Sequence, residues 1–256
     1  MSSETLLLIG RETAHTPEVF ETHADRLARR GVVEEVFTTT YESEPVRELR
    51  SQLREIPGDR VYAIPMCVAH TFDTVRDLPA ALSFVSGSVQ YCEPIGRMPA
   101  VTDVIVERAT EQVRAGSEVS LVLVGFGSSS KPYHRQMVEY HAARLEEGTE
   151  YGEVLACYLV QDPAVECIGY ELSNDRAVAV PLFLSRCEAT KHRIPEQLES
   201  DGIAYAEPFG THPRITDAIH AELEKQRALA DDGSFSFEDR LTATRRPVAT
   251  DGEGPE

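Results

Sequence analysis

The chain has no tryptophan and only three lysines, Lys131, Lys191 and Lys225, so arginine supplies 22 of its 25 basic residues. It also lacks any long hydrophobic run. Stretches such as Leu6–Ile9 and Leu121–Val124 fall far short of the ~20 apolar residues that span a bilayer, so no membrane partner is expected. The opening MSSETLLLIG has no basic segment ahead of its apolar residues, which excludes a secretory signal. No basic stripe is present to meet phosphates, so nucleic acid is excluded as a partner. The five cysteines, Cys67, Cys92, Cys157, Cys167 and Cys187, make no CxxC and no zinc-ribbon spacing. Their odd number in a chain without a secretory signal points to reduced thiols, mostly small buried hydrophobes. These absences describe a soluble cytoplasmic protein.

What the chain has in excess is carboxylate. Forty-three Asp and Glu face 25 Lys and Arg, for a formal charge of −18 over 256 residues. Excess carboxylate with scarce lysine resembles the proteins of salt-accumulating halophiles, whose surface acids stay hydrated in molar salt. The hydrophobic share, 41%, is ordinary for a globular protein and too high for a disordered one.

The chain repeats itself. Tyr91–Ile105 (YCEPIGRMPAVTDVI) and Tyr205–Ile219 (YAEPFGTHPRITDAI) agree at eight of fifteen positions. Arg60–Leu82 aligns with Arg176–Leu198 without a gap, and LLLIG at Leu6–Gly10 aligns with LVLVG at Leu121–Gly125. Repeats of this length mark a duplicated domain. In each copy short apolar runs alternate with amphipathic stretches. In the first copy, strands are predicted at Leu6–Ile9, Val33–Thr38, Val61–Pro65 and near Tyr91. Helices are predicted at Thr16–Arg30 (Thr16 as N-cap, Pro17 at its first turn), at Glu44–Ile56, from about Val75, and after Pro99. The second copy repeats the order from Leu121 to about Gln226. This pattern is α/β: two tandem similar domains, residues 1–115 and 116–228, each a parallel sheet covered by helices on both faces. Ala115–Glu118 serves as linker, and residues 229–256 read as a flexible acidic tail.

Open parallel sheets bind ligands at the carboxyl ends of their strands. The relevant loops are Gly10–Thr16 and Met66–Thr74 in copy one, and Gly125–Lys131 and Leu182–His192 in copy two. A strand leading into VGFGS (Val124–Ser128), then VPLFLSRCEATKHRIPEQL (Val180–Leu198) and its counterpart Ile64–Leu82, resembles the CbiX/SirB chelatases. That family inserts cobalt or iron into sirohydrochlorin. The resemblance covers about residues 5 to 226 and implies tandem chelatase-like, flavodoxin-like domains facing each other across a cleft. It further implies a tetrapyrrole partner, a divalent metal as substrate (Co²⁺ foremost, Fe²⁺ or Ni²⁺ as alternatives), no organic cofactor, and a monomer, since the two halves are fused. Where the family usually has a histidine after the first strand's glycine, Arg11 and Phe126 stand here; where it has its second, Asp73 and Ala189 stand.

Copy one is therefore expected to hold the chemistry. His70 and Asp73 are the candidate catalytic pair, and His70, Asp73 and Cys67 the candidate metal ligands. Neutral imidazole both ligates such ions and accepts a proton near pH 7. Arg11 with Ser128, Ser129, Ser130 and Lys131 is expected to bind the substrate's carboxylates. His192 and Glu188 sit in copy two's equivalent loop, and His15, His23, His134 and His141 are expected at the surface. Glu93-Pro94 and Glu207-Pro208 recur in both copies as turns before the last helix. One alternative is a non-catalytic carrier of metal or tetrapyrrole. An unrelated phosphate- or nucleotide-binding α/β protein is the other, on the serine loop alone.

Self-repulsion of a −18 chain opposes compaction, and salt screens it. Thermal melts from low to molar KCl should show a rising midpoint; a midpoint independent of salt would sink the halophilic reading.

Overall fold

A computed structural model describes residues 3–199 and 202–231. Two four-stranded sheets are built, each wholly parallel. The first has the order β2-β1-β3-β4, with β1 Glu4–Arg11, β2 Glu35–Tyr41, β3 Arg60–Pro65 and β4 Ser88–Tyr91. The second repeats it as β6-β5-β7-β8, with β5 Val119–Gly125, β6 Glu153–Tyr158, β7 Arg176–Pro181 and β8 Ala204–Tyr205. Even the register is duplicated: Leu8 pairs with Thr38 and Ile64, and Leu123 with Ala156 and Val180.

The central strands carry apolar side chains on both faces because both faces are covered. Leu6 and Leu8 point inward, Leu7 and Ile9 outward; Leu121 and Leu123 point inward, Val122 and Val124 outward. The inward sets belong to one continuous core that also holds the long helices α1 (Thr16–Arg30), α5 (Pro99–Gln112), α6 (Tyr133–Gly148) and α8 (Pro213–Asp231). Each outward set is covered within its own copy, in copy one by α3 (Arg50–Arg54), α4 (Leu78–Leu82) and Leu49, which joins α3 to the short α2 (Pro45–Glu48). In copy two, α7 (Ile194–Leu198) does the same. No helix among the described residues is long and apolar enough to cross a membrane.

Several expectations are corrected. Glu44–Ile56 is not one helix but α2 and α3, broken at Leu49, although Leu49 and Leu53 are both buried as an amphipathic stretch requires. Copy two has no counterpart to that pair; between β6 and β7 only a 3₁₀ turn, Val165–Tyr170, forms, in a stretch punctuated by Pro163 and Gly169. Thr16 is the first helical residue rather than the cap, its hydroxyl accepting the Thr13 N–H at 3.1 Å. The helix α8 runs through Asp231, past the expected boundary at 228, and the rest of the expected tail, residues 232–256, lies outside the described residues.

Both copies open a π-helical turn at equivalent places, Asp73–Asp77 before α4 and Ala189–Arg193 before α7. Pro79 and Pro195 follow each turn. A proline lacks the N–H an α-helix needs and clashes with the carbonyl four residues earlier, which a widened turn relieves.

Two histidines expected at the surface are fully buried between the copies. His23 of α1 reaches into copy two, with Nδ1 2.8 Å from Thr216 Oγ1 and Nε2 3.1 Å from Gly210 O. His141 of α6 reaches into copy one the same way, to Thr102 Oγ1 at 2.9 Å and Gly96 O at 2.5 Å. A carbonyl only accepts, so Nε2 carries the proton and Nδ1 accepts from the hydroxyl. Burial pulls both imidazoles down to about 4. Desolvation is the largest cause in each case, opposed in part by the bond to the glycine carbonyl.

An unfolded chain holds these protons below the ordinary value of 6.5, whereas the folded one refuses them until about 4. The stability they contribute is therefore complete above pH 6.5 and is lost as pH falls toward 4, on the order of 2–3 kcal/mol for each. In a pH series of urea unfolding, replacing both (His23→Gln with His141→Gln) should flatten the slope between pH 6.5 and 4 relative to the parent. An unchanged slope would assign it to other groups.

Candidate active site

In each sheet the chain leaves β1 or β5 toward opposite edges, so the switch point lies at the carboxyl ends of β1 and β3, and of β5 and β7. The shared helical layer turns these two ends toward one another. Between them lies a cleft of about 430 Å³. Copy one lines it with Arg11 at the end of β1, Thr13 just beyond it, and the loop Met66–Ala69 and Thr71–Thr74 after β3; copy two contributes Phe126, His134 and Phe183–Ser185 with Cys187. Its walls are mainly apolar, with a few convergent polar groups, as ligand sites usually are.

The two positions where the resemblance puts histidines, 11 and 73, are neighbours. They are joined by an ion pair, Arg11 Nη2 to Asp73 Oδ2 at 2.8 Å. Asp73 is largely enclosed (17% exposed) while Arg11 reaches outward (58%), and Tyr41 donates its hydroxyl to the same carboxylate at 3.4 Å. Asp73 caps no helix. That role falls to Thr71 and Thr74, each of whose hydroxyls accepts the other's backbone N–H, at 3.3 and 2.8 Å. Cys67 borders the cleft, but burial pushes its thiol up to about 12, so at neutral pH it is a packed thiol rather than a thiolate ligand.

His70 is turned away from this cleft. Its Nε2 lies 2.9 Å from Glu93 Oε2 and its Nδ1 3.2 Å from Thr74 Oγ1, and its ring meets Tyr133 edge-on at 5.6 Å. It lines a separate cavity of about 520 Å³ with Glu93, Arg97, Met98, Tyr133 and Lys225. The expected ligand set His70, Asp73 and Cys67 is thus not assembled. Among the described residues no three His, Cys, Asp or Glu side chains gather as a group that could hold a metal ion. The reason is local: His70 precedes the Thr71–Thr74 cap whereas Asp73 lies within it, at the start of the π turn, and the cap sends one side chain to each cavity.

Copy two explains what His70 does. There the equivalent pair is Arg186 with Glu207, joined at 2.8 Å. The recurring Glu-Pro segment therefore supplies, in both copies, a carboxylate that ties down the loop after the third strand. The glycine of the same segment in copy one is required by close approach, since a Cβ on Gly96 would overlap the Val68 carbonyl.

The serine loop does not line the cleft. Ser128 Oγ accepts the N–H groups of Ser130 (3.4 Å) and Lys131 (3.1 Å), folding the segment on itself and leaving Ser129, Ser130 and Lys131 exposed. His192 and Glu188 are exposed and stand outside the cleft as well. What sequence reasoning missed is the rim. Phe72 (57% exposed) and Phe126 (40%) are large apolar side chains in contact with water, one from each copy, and both border the cleft. Thr13 and Thr16 bridge to Ser185 across the copies at 3.3 and 3.4 Å. The one sequence signal for the rim was position: Phe126 follows Gly125 at the end of β5 as Arg11 follows Gly10 at the end of β1.

Comparison with known proteins now decides the family. The CbiX family model matches residues 5–112 and 120–226, one match for each copy. The chain belongs to the CbiX family. It is 26% identical over 262 residues, 84% of this chain and 89% of its relative, to a probable sirohydrochlorin cobaltochelatase of Halobacterium salinarum. Its fold resembles that of SirB from Bacillus subtilis, solved with Fe³⁺, at a TM-score of 0.75 and 18% identity over 92% of this chain and 99% of that one. It also resembles a multi-domain Deinococcus radiodurans protein with structural similarity to chelatases (TM-score 0.69, 20% identity) over 87% of this chain; the match spans 55% of that longer protein.

If the His70–Glu93 contact is a tie of the kind Arg186–Glu207 makes, arginine should replace histidine in this CbiX protein at little cost. His70→Arg should melt within about 2 °C of the parent, while His70→Ala should lose about 1 kcal/mol for the broken contacts. Equal losses in the two variants would show that the imidazole itself is needed.

Proposed function

We propose that this protein inserts a divalent metal ion, cobalt foremost, into sirohydrochlorin on the route to cobalamin or sirohaem. The observation that carries the reading is the cleft: two opposed switch points, a rim of exposed phenylalanines, and an outward-reaching arginine beside an enclosed carboxylate. Sirohydrochlorin matches those features in kind. It is a conjugated macrocycle with apolar faces and a periphery of carboxylates. One face packs on Phe72 and Phe126, and Arg11 takes a peripheral carboxylate in a charge-assisted contact.

The Arg11–Asp73 pair then couples the two substrates. While Arg11 holds Asp73, that carboxylate is neutralised and a poor partner for a cation. A substrate carboxylate on Arg11 competes for the guanidinium and leaves Asp73 free to receive the metal, a hard oxygen ligand for a divalent ion. Loss of two pyrrole N–H protons accompanies insertion. A carrier that binds the macrocycle without metalating it is the second reading, favoured by the absence of a three-ligand group among the described residues.

Purified protein incubated in high salt with sirohydrochlorin and Co²⁺, followed by absorbance, separates the readings: repeated turnover supports the chelatase, and a change that stops at one equivalent supports the carrier. Fe²⁺ and Ni²⁺ in parallel identify the preferred ion. Arg11→Gln should raise KM for the macrocycle roughly tenfold, the value of one charge-assisted contact of ~1.5 kcal/mol. The same variant should bind Co²⁺ more tightly than the parent when no macrocycle is present, because Asp73 is released; weaker binding would overturn the coupling.

A further inference from the structure

His134 is the one histidine among the residues that line the cleft, and it is half-buried there rather than at the surface where the sequence suggested it. It sits in the first turn of α6, and successive residues of a helix point about 100° apart. Tyr133 accordingly turns to His70 and the separate cavity, while His134 turns to the cleft and packs against Phe126 with ring centroids 6.2 Å apart. Its ring nitrogens are unlike those of the other enclosed histidines. His23, His70 and His141 have both engaged by protein groups. His134 makes no hydrogen bond among the described residues, and its Nδ1 is enclosed without a partner. Nδ1 is out of a ligand's reach, so Nε2, which is not among the enclosed unpartnered atoms, is the nitrogen that a molecule in the cleft can meet.

We infer that His134 is a catalytic residue whose Nε2 accepts a pyrrole proton from the macrocycle as the metal enters. The inference rests on the chelatase reading above and assigns the base, which neither Arg11 nor His70 supplies. Arg11 stays charged, and His70 faces the other cavity. Burial, with no charged neighbour contributing, lowers the basicity of His134 and keeps it neutral at neutral pH, with a lone pair to offer. The charged groups of the cleft, Arg11 at the end of β1 and Asp73 at the start of the π turn, both belong to copy one and are paired with each other. In the step, a pyrrole N–H bond breaks, its electron pair stays on nitrogen and is donated to the divalent ion, and the proton forms a new N–H bond on the imidazole. His134 then returns that proton to water. The second pyrrole proton leaves in a like step once the base is free again.

The test compares the parent, His134→Ala and His134→Phe in single-turnover metalation with sirohydrochlorin and Co²⁺, with macrocycle affinity measured separately. Removing a positioned base should slow metalation about a hundredfold. The dissociation constant for the macrocycle should stay within about threefold, which a merely structural residue would not guarantee. Added imidazole should restore at least part of the rate to His134→Ala, where it leaves a space, and none to His134→Phe, where the ring fills it. A parental rate in His134→Ala, or a loss that imidazole does not relieve, overturns the role. A parent protein that binds the macrocycle and never metalates it overturns the chelatase reading, and this role with it.

Discussion

Everything at the cleft depends on how the two sheets are held face to face. Neither sheet can cover its inner face alone. Each needs the layer of α1, α5, α6 and α8 that the copies build jointly, so the inner faces merge into one core. An apolar core is non-directional, however, and fixes separation better than alignment. Alignment comes from the directional contacts within it, chiefly the His23 and His141 bonds that cross between copies in opposite senses. The His141 bond ends on Gly96 O, and Gly96 is the residue pressed against Val68 of the loop after β3. Glu222, a buried carboxylate of α8, accepts the Glu93 N–H at 3.0 Å in the same region. Copy two thereby holds the loop of copy one that borders the cleft, and the site is a property of the pair.

The two similar copies give the cleft two unlike walls. Arg11 is matched by Phe126, Asp73 by Ala189, Cys67 by Phe183 and His70 by Arg186. Copy one keeps a paired charge at the end of its first strand, whereas copy two presents rings there. An amphiphilic planar ligand needs both: an apolar surface for its face and a fixed cation for its rim. One strand end cannot present both side-chain types in the same place, and two opposed ones can. The loop-tying contacts, by contrast, survive in both copies because each copy must still hold its own loop against its own sheet.

The repeat and the α/β architecture were legible because their signals are local and periodic. Buried parallel strands read as short continuous apolar runs, and the same order of elements recurs in both halves. The site was legible only as a set of loops. His23 lies on the apolar stripe that Val19, Phe20 and Leu27 define, and His141 on that of Met137, Val138 and Leu145, so the period already marked both as inward-facing. Treating histidine as a polar residue hid it. The split between His70 and Asp73 had no such signal. Their three-residue spacing suits a common face on an α-helix, but His70 precedes a reciprocal threonine cap while Asp73 lies within it and opens a π turn, and only that geometry sends the two side chains to different cavities.

The choice of arginine over lysine also acquires a place in the fold. Many contacts between the copies are made by guanidinium groups that reach a carboxylate, a carbonyl or both. Arg227 holds Glu4 at 2.6 Å and the Val32 carbonyl at 2.6 Å, Arg108 reaches Phe209 O at 3.2 Å, and Arg214 reaches Asp103 at 3.2 Å and Glu107 at 2.5 Å. A planar fork of five donors can divide itself this way; an ammonium on a flexible stem does so less well. The division matters where salt is concentrated. Screening at ~1 M reduces the Debye length to about 3 Å, which strips long-range attraction from exposed ion pairs but leaves contact hydrogen bonds in place. A strongly acidic protein whose halves had to be held by distant charge attraction would part as salt rose. One held by an apolar core, buried imidazoles and guanidinium bonds to carbonyls loses only the self-repulsion that opposed its folding.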